Sequence, residues 1–144
     1  MSISLYGKIK IKKLNLDLLK KSISDYFLRD NGAKLEYNGR FFFYECKDFE
    51  CDIYFGEDKK PPYNVWDSQI LNDEYEFAQT IMFDLRKEID YDMAYKSIID
   101  FFIFLNEGIA CPILVTSDVH NDICYIDKDI RWSENWLNRY EDKI

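Results

Sequence analysis

Histidine, proline and glycine are all scarce in this chain of 144 residues, which holds one, three and five of them. The glycines (Gly7, Gly32, Gly39, Gly56, Gly108) are scattered, so no glycine-rich loop is available to cradle a phosphate. Few glycines and prolines, with 47% hydrophobic residues, also exclude a disordered or low-complexity chain. The sole histidine sits in the turn-like run Asp118-Val119-His120-Asn121-Asp122. Nucleophilic catalysis needs a base that a third group holds in place, and no such set is evident; His120 reads as a turn residue facing water. Acidic neighbours such as Asp73 with Glu74 and Asp90 with Asp92 are common in so acidic a chain. Carboxylate catalysis would need two of them converging in one cleft. The chain is therefore read as a non-enzyme.

No cysteine pair has C-x-x-C spacing. Cys46, Cys51, Cys111 and Cys124 match no zinc pattern, even with His120 added, and are expected to be free thiols in a reducing compartment. No metal and no cofactor are expected. Long apolar runs are missing too. The longest, Phe101 to Leu105, falls far short of the ~20 residues of a membrane span. Lysines interrupt Ile9 and Ile11, which removes a secretory signal. A cytoplasmic protein without membrane contact is expected.

Acid is what the chain has in excess. Net charge is −8, yet the first 21 residues carry six lysines against Asp17, a local +5 that leaves −13 on the rest. Such a body repels phosphate backbones, so nucleic acid is not an expected partner. It suits a basic protein partner, although acidity for solubility alone accounts for it equally well.

The periodicities give an α+β chain in one domain, residues 1–144. Ile3, Leu5, Ile9 and Ile11 alternate with polar residues as in a half-buried strand, leaving Lys8, Lys10 and Lys12 as a solvated face. Leu16, Leu19, Ile23, Tyr26 and Phe27 stripe a helix from about Asn15 to Arg29, capped by Asn15 and ended by Asn31-Gly32. Asn38-Gly39 signals a hairpin between Lys34–Tyr37 and Arg40–Cys46, with positive φ tolerated at both turn positions. Aromatics on both faces of Phe41–Tyr44 predict a strand that is central or covered on both sides, and Phe49–Phe55 follows as another strand. A long strand runs from Tyr75 to Lys87, with Tyr75, Phe77, Ile81, Phe83 and Leu85 on one face. A second helix spans about Asp92 to Glu107, stopped at Gly108, with Asp90 and Asp92 at its dipole-favoured start. Strands at Cys111–Asp118 and Asp122–Ile126 precede a short helix that aligns Trp132, Trp136 and Tyr140, with Ser133 as its cap. The whole implies a largely antiparallel sheet of about six to seven strands with both long helices on one face.

Gly56 to Asp73 is the irregular part, where Pro61-Pro62 cannot continue a strand and a short helix near Ser68–Leu71 is conceivable. From Gly56 to Glu76 six acids stand among Tyr63, Trp66 and Tyr75. Tyr and Trp favour interface hot spots, and surrounding acids steer a basic partner. The candidate partner-binding residues are Tyr63, Trp66, Asp67, Asp73, Glu74 and Glu76; Trp66 as a plug at the core edge is an equal alternative.

The strand end Phe83-Asp84-Leu85-Arg86-Lys87, then Tyr91, the helix to Leu105, Ile113-Leu114-Val115-Thr116 and the closing Trp132 resemble the Sit-type immunity proteins of polymorphic bacterial toxin systems. The resemblance covers roughly the last sixty residues up to Trp132. It carries no catalytic or ligand residue over, and Asp84-Leu85 and the acidic loop depart from its pattern. It implies an immunity protein that binds and neutralises a cognate toxin domain in the producing cell. A small-ligand or regulatory binding domain is the alternative, and an unrecognised enzyme a weaker third.

Overall fold

The computed structural model describes residues 3–10, 15–55, 60–86, 90–118, 121–134 and 136–141. Its first strand, β1 (Ile3–Ile9), buries Leu5 and Ile9 on one side and lies in the middle of an eight-stranded antiparallel sheet. On one flank come β8 (Ile113–Ser117), β9 (Asn121–Ile126) and β10 (Ile130–Trp132). On the other come β7 (Gln79–Leu85), β4 (Glu50–Tyr54), β3 (Phe41–Glu45) and the edge strand β2 (Lys34–Tyr37). Leu5 pairs with Phe83 and Ser117, and Gly7 with Ile81 and Val115, so one face of three neighbouring strands is almost wholly buried.

That face meets the helices. α1 (Leu16–Phe27) is capped by Asn15, whose side chain accepts from the Leu18 N–H. It buries Leu19, Ile23 and Phe27, while Leu16 stays 44% exposed at its start. α2 (Tyr91–Ile109) begins at Asp90, which accepts from the Met93 N–H, and buries a broad stripe from Ala94 to Leu105. Phe27 of α1 stacks on Phe101 of α2 at 5.2 Å, and Phe27, Phe101 and Phe102 meet Phe83 of the sheet through tilted and edge-on ring contacts of 5.5–5.8 Å. Truncating such a buried side chain costs about 3–5 kcal/mol, so this is where the fold is held. α3 (Trp136–Glu141) seats Trp136 on Tyr95 at 5.2 Å.

Several expectations need correction. Among the described residues ten strands in two sheets exceed the six or seven expected. The run from Tyr75 is two strands, β6 (Asp73–Glu76) and β7, because at Phe77-Ala78 the chain crosses between layers. There the Phe77 N–H donates to Asn64 O and the Ala78 N–H to Ile9 O. Tyr75 and Phe77 consequently pack with Leu114 on the opposite side of the sheet from Ile81, Phe83 and Leu85. The irregular stretch holds a strand, β5 (Val65–Ser68), and Gln69–Asn72 is its turn rather than a helix. Gly108 lies inside α2; the left-handed cap is Ala110, at φ 51°. Asn31-Gly32 follows a helix already ended at Leu28, and Gly32 keeps a negative φ. Only Gly39 is left-handed in the hairpin turn (φ 94°), the glycine-first pattern of a type II′ turn, while Asn38 Oδ1 accepts from the Arg40 and Phe41 N–H groups. β3 buries Phe42 and Tyr44 but leaves Phe41 and Phe43 half-exposed, so the sheet is covered on one face there. Trp132 ends β10 instead of joining the last helix, and its ring meets Tyr140 in a tilted contact at 4.9 Å. Ser133 contributes its carbonyl, to the Trp136 N–H. Ile11, Lys12, Glu57, Asp58, Lys87 and His120 lie outside the described residues. No helix among the described residues is long and apolar enough to cross a membrane.

Candidate functional site

β5 and β6 pair as a small antiparallel hairpin, with Val65 opposite Glu76, Trp66 opposite Tyr75, Asp67 opposite Glu74 and Ser68 opposite Asp73. Alternation sorts these residues by face. Ser68 and Tyr75 are buried and Trp66 half-buried toward the large sheet, whereas Val65, Asp67, Glu74 and Glu76 are exposed. Asn72, at φ 52°, supplies the left-handed step of the connecting turn, a conformation that asparagine tolerates.

One buried carboxyl fastens the hairpin down. Asp122 Oδ1 accepts from Trp66 Nε1–H at 2.6 Å, and Oδ2 accepts from the Ser68 hydroxyl at 2.7 Å and the Ile70 N–H at 3.1 Å. Asp122 is only 2% exposed, and it reaches this position because the β8–β9 register shifts between Val115 and Thr116. Buried carboxyls are tolerated where donors replace the lost water. Arg131 adds a bond from its guanidinium to Ile70 O at 2.7 Å. Tyr75 donates its hydroxyl to Lys8 O at 2.8 Å, and burial pushes that hydroxyl far above the ordinary tyrosine range.

Lys8 corrects the expectation of a solvated lysine face. It is buried, its Nζ donates to Thr116 Oγ1, and its ammonium lies 4.1 Å from the Trp66 ring centroid and 4.9 Å from that of Tyr6. An ammonium over ring faces gains quadrupole attraction that compensates part of its lost hydration. Lys10 stays exposed, 5.1 Å from the Tyr75 ring. Beside Lys8 and Trp66 opens a cavity of about 550 Å³, bordered by Tyr63, Phe77, Thr80 and Asp118.

Of the six candidate residues, Asp67, Glu74 and Glu76 share the hairpin's outward face. Tyr63, 78% exposed, stands at the cavity rim. Asp73 is exposed at the turn end and accepts from the Glu74 N–H at 2.7 Å. Trp66 lies on the other side, held by Asp122, so its structural role is the one the geometry displays. The sequence reading missed Lys8, Thr116 and Asp122. Lys8 alternates like a surface residue, and Asp122 looks like the end of a turn; neither carries a local signal of burial. The four cysteines are unbridged, and burial raises the Cys51 and Cys124 thiols above their usual range. Among the described residues no group of three His, Cys, Asp or Glu side chains is placed to hold a metal.

No family model, curated protein or solved structure matches this chain.

Proposed function

We propose that this chain is a cytoplasmic immunity protein that binds and neutralises a cognate, basic toxin domain of a polymorphic toxin system, without catalysis. The observation that carries this reading is the outward face of the β5–β6 hairpin. Asp67 and Glu74 stand directly opposite each other there, with Glu76 beside Val65 and Tyr63 projecting next to them. Like charges opposed across a ladder destabilise it. A cationic partner relieves that repulsion, and Asp122 holds the hairpin so that little ordering is needed on binding. The resemblance of Phe83–Trp132 to Sit-type immunity proteins supplies the class of partner.

Tyr63, rather than the pinned Trp66, is the aromatic placed to insert into a partner. Tyr63→Ala is expected to weaken binding to the product of the adjacent toxin gene by about 2 kcal/mol, mainly through faster dissociation. Asp67→Lys with Glu74→Lys should slow association and flatten its salt dependence. Co-expression with that toxin reads the result as lost protection. A wild-type protein that neither binds the adjacent gene product nor protects against it would overturn the reading. A small-ligand domain is the second reading, favoured by the cavity of about 550 Å³ beside Lys8, a size typical of ligand pockets.

A further inference from the structure

The face of the large sheet that the helices leave free is only half covered by the hairpin. Tyr6, Met82, Tyr54 and Phe41 stand opposite one another across β1, β7, β4 and β3, and all four are half-exposed. They floor a trough of about 730 Å³. Tyr6 and Thr80 border both this trough and the cavity beside Lys8, so the two depressions adjoin.

The row next to it is polar and acidic. Ser4, Asp84 and Asp52 oppose one another, and the Ser4 hydroxyl donates to Asp84 Oδ1 at 3.3 Å. Asp84 and Asp52 are thus a second directly opposed pair of like charges. Their field reaches the aromatic row: burial first, then Asp52 and Asp84, push the Tyr54 hydroxyl above its ordinary value.

The protein's own cations indicate what this face accommodates. Arg86 lies 3.4 Å from Asp52 and 3.5 Å from Glu50, with its guanidinium 5.3 Å from the Phe43 ring centroid. Lys8 sits over Tyr6 and Trp66. Each combines an aromatic face with a polar or carboxylate neighbour, and Tyr6, Tyr54 and Phe41 beside Asp52 and Asp84 repeat that combination. Arg40 is the one cation bordering the trough among the described residues.

We propose that this open half of the sheet is a docking surface for a basic segment of a protein partner, whose arginine or lysine side chains lie over Tyr6 and Tyr54 and pair with Asp84 and Asp52. It rests on the immunity reading only in taking the partner to be a protein. Charge complementarity chooses the occupant: among the described residues Arg86 is the one cation on the Asp52–Asp84 pair, it sits on the Asp52 side, and Asp84, held only by the neutral Ser4 hydroxyl, keeps a charge that repels nucleic acid and suits a second cation.

Capped tetra-arginine, titrated into isotope-labelled protein, tests the surface without any toxin. The largest amide shifts are expected at Tyr6, Thr80, Met82, Tyr54 and Asp84. Asp52→Asn with Asp84→Asn should weaken tetra-arginine about three- to fivefold, as a partly exposed ion pair does. The same change relieves a like-charge pair but also removes the Arg86 contact to Asp52, so the two effects offset and the melting temperature should stay within a few degrees of wild type. Tyr54→Leu keeps apolar area, removes the ring face, and should also weaken the peptide. Shifts confined to the hairpin's outward face, or spread evenly over all acidic surface, would overturn the proposal, as would unchanged affinity in the double variant. A neighbouring toxin that binds wild type and double variant equally sinks this surface and leaves the immunity reading intact. A toxin that fails to bind at all sinks that reading, while the peptide titration still decides the surface.

Discussion

Gly7 shows how one absent side chain can govern a core. It lies in β1 between Ile81 and Val115, and a Cβ built there would fall 2.2 Å from Phe102 Cε1. Phe102 is fully buried, with Phe83 and Phe101 each 5.5 Å away, so its ring has nowhere to retreat. Gly7→Ala is expected to destabilise the fold by about 1–3 kcal/mol through overpacking. Phe102→Leu in the same chain should recover part of that loss. Urea midpoints of the three variants check it, and an unshifted midpoint for Gly7→Ala would refute the packing argument. The alternation Ile3, Leu5, Ile9 marks Gly7 as inward-facing from sequence alone. Which ring sits above it is a tertiary fact, set by a helix far along the chain. Lys8 was illegible for the same reason: the Trp66 and Phe77 rings and the Thr116 hydroxyl that help bury it come from far along the chain.

Elements were readable where their signals are local. Asn15 caps α1, Asp90 and Asp92 stand at the start of α2, the apolar stripes lie at helical spacing, and a hairpin turns at Gly39, because each needs only neighbours in sequence. The β5–β6 hairpin escaped because its inward residues, Trp66, Ser68 and Tyr75, do not make an apolar alternation. Ser68 faces inward only because Asp122 receives it. The hairpin's attachment can be tested by itself. Asp122→Ala removes the acceptor for three donors, each of which then lacks its partner. Amide protection should fall across Val65–Glu76, while β1, β7 and β8 keep theirs, since their own ladder bonds are untouched. Uniform loss of protection would mean that the hairpin and the large sheet unfold as one unit. Protection retained at Val65–Glu76 would show that Asp122 does not hold it.

At the scale of the molecule the α+β class and the one-sided helices followed from periodicity, but the strand order did not. β1 inserts between β7 and β8, strands that come much later in the chain, and nothing local encodes that insertion. The resulting core gathers tyrosines and cysteines whose ionisation burial opposes, and this gives the whole fold an alkaline limit. Burial first, then the charge of Asp100, push Tyr26 from 10.0 up to about 12 against the opposing pull of Arg29. Burial raises Tyr44, Tyr75 and Tyr140 further, with donation to Asp100 contributing at Tyr140, and raises Cys51 and Cys124 from 9.0. A pKa raised in the folded state favours folding fully below the unfolded value, and that contribution disappears as pH climbs toward the folded one. Stability contributed by these groups should therefore be level through neutral pH, begin to fall near pH 9 as unfolded thiols ionise, and fall more steeply past pH 10 as unfolded phenols follow. Each group adds a slope of up to about 1.4 kcal/mol per pH unit while only its unfolded form is ionised. Urea midpoints measured across this range, with the assigned ring resonances of Tyr26, Tyr44, Tyr75 and Tyr140 followed in parallel, should show unfolding and ionisation of these four hydroxyls occurring together. Ionisation of these four in a chain that is still folded at pH 10 would show that their hydroxyls are not held by the core.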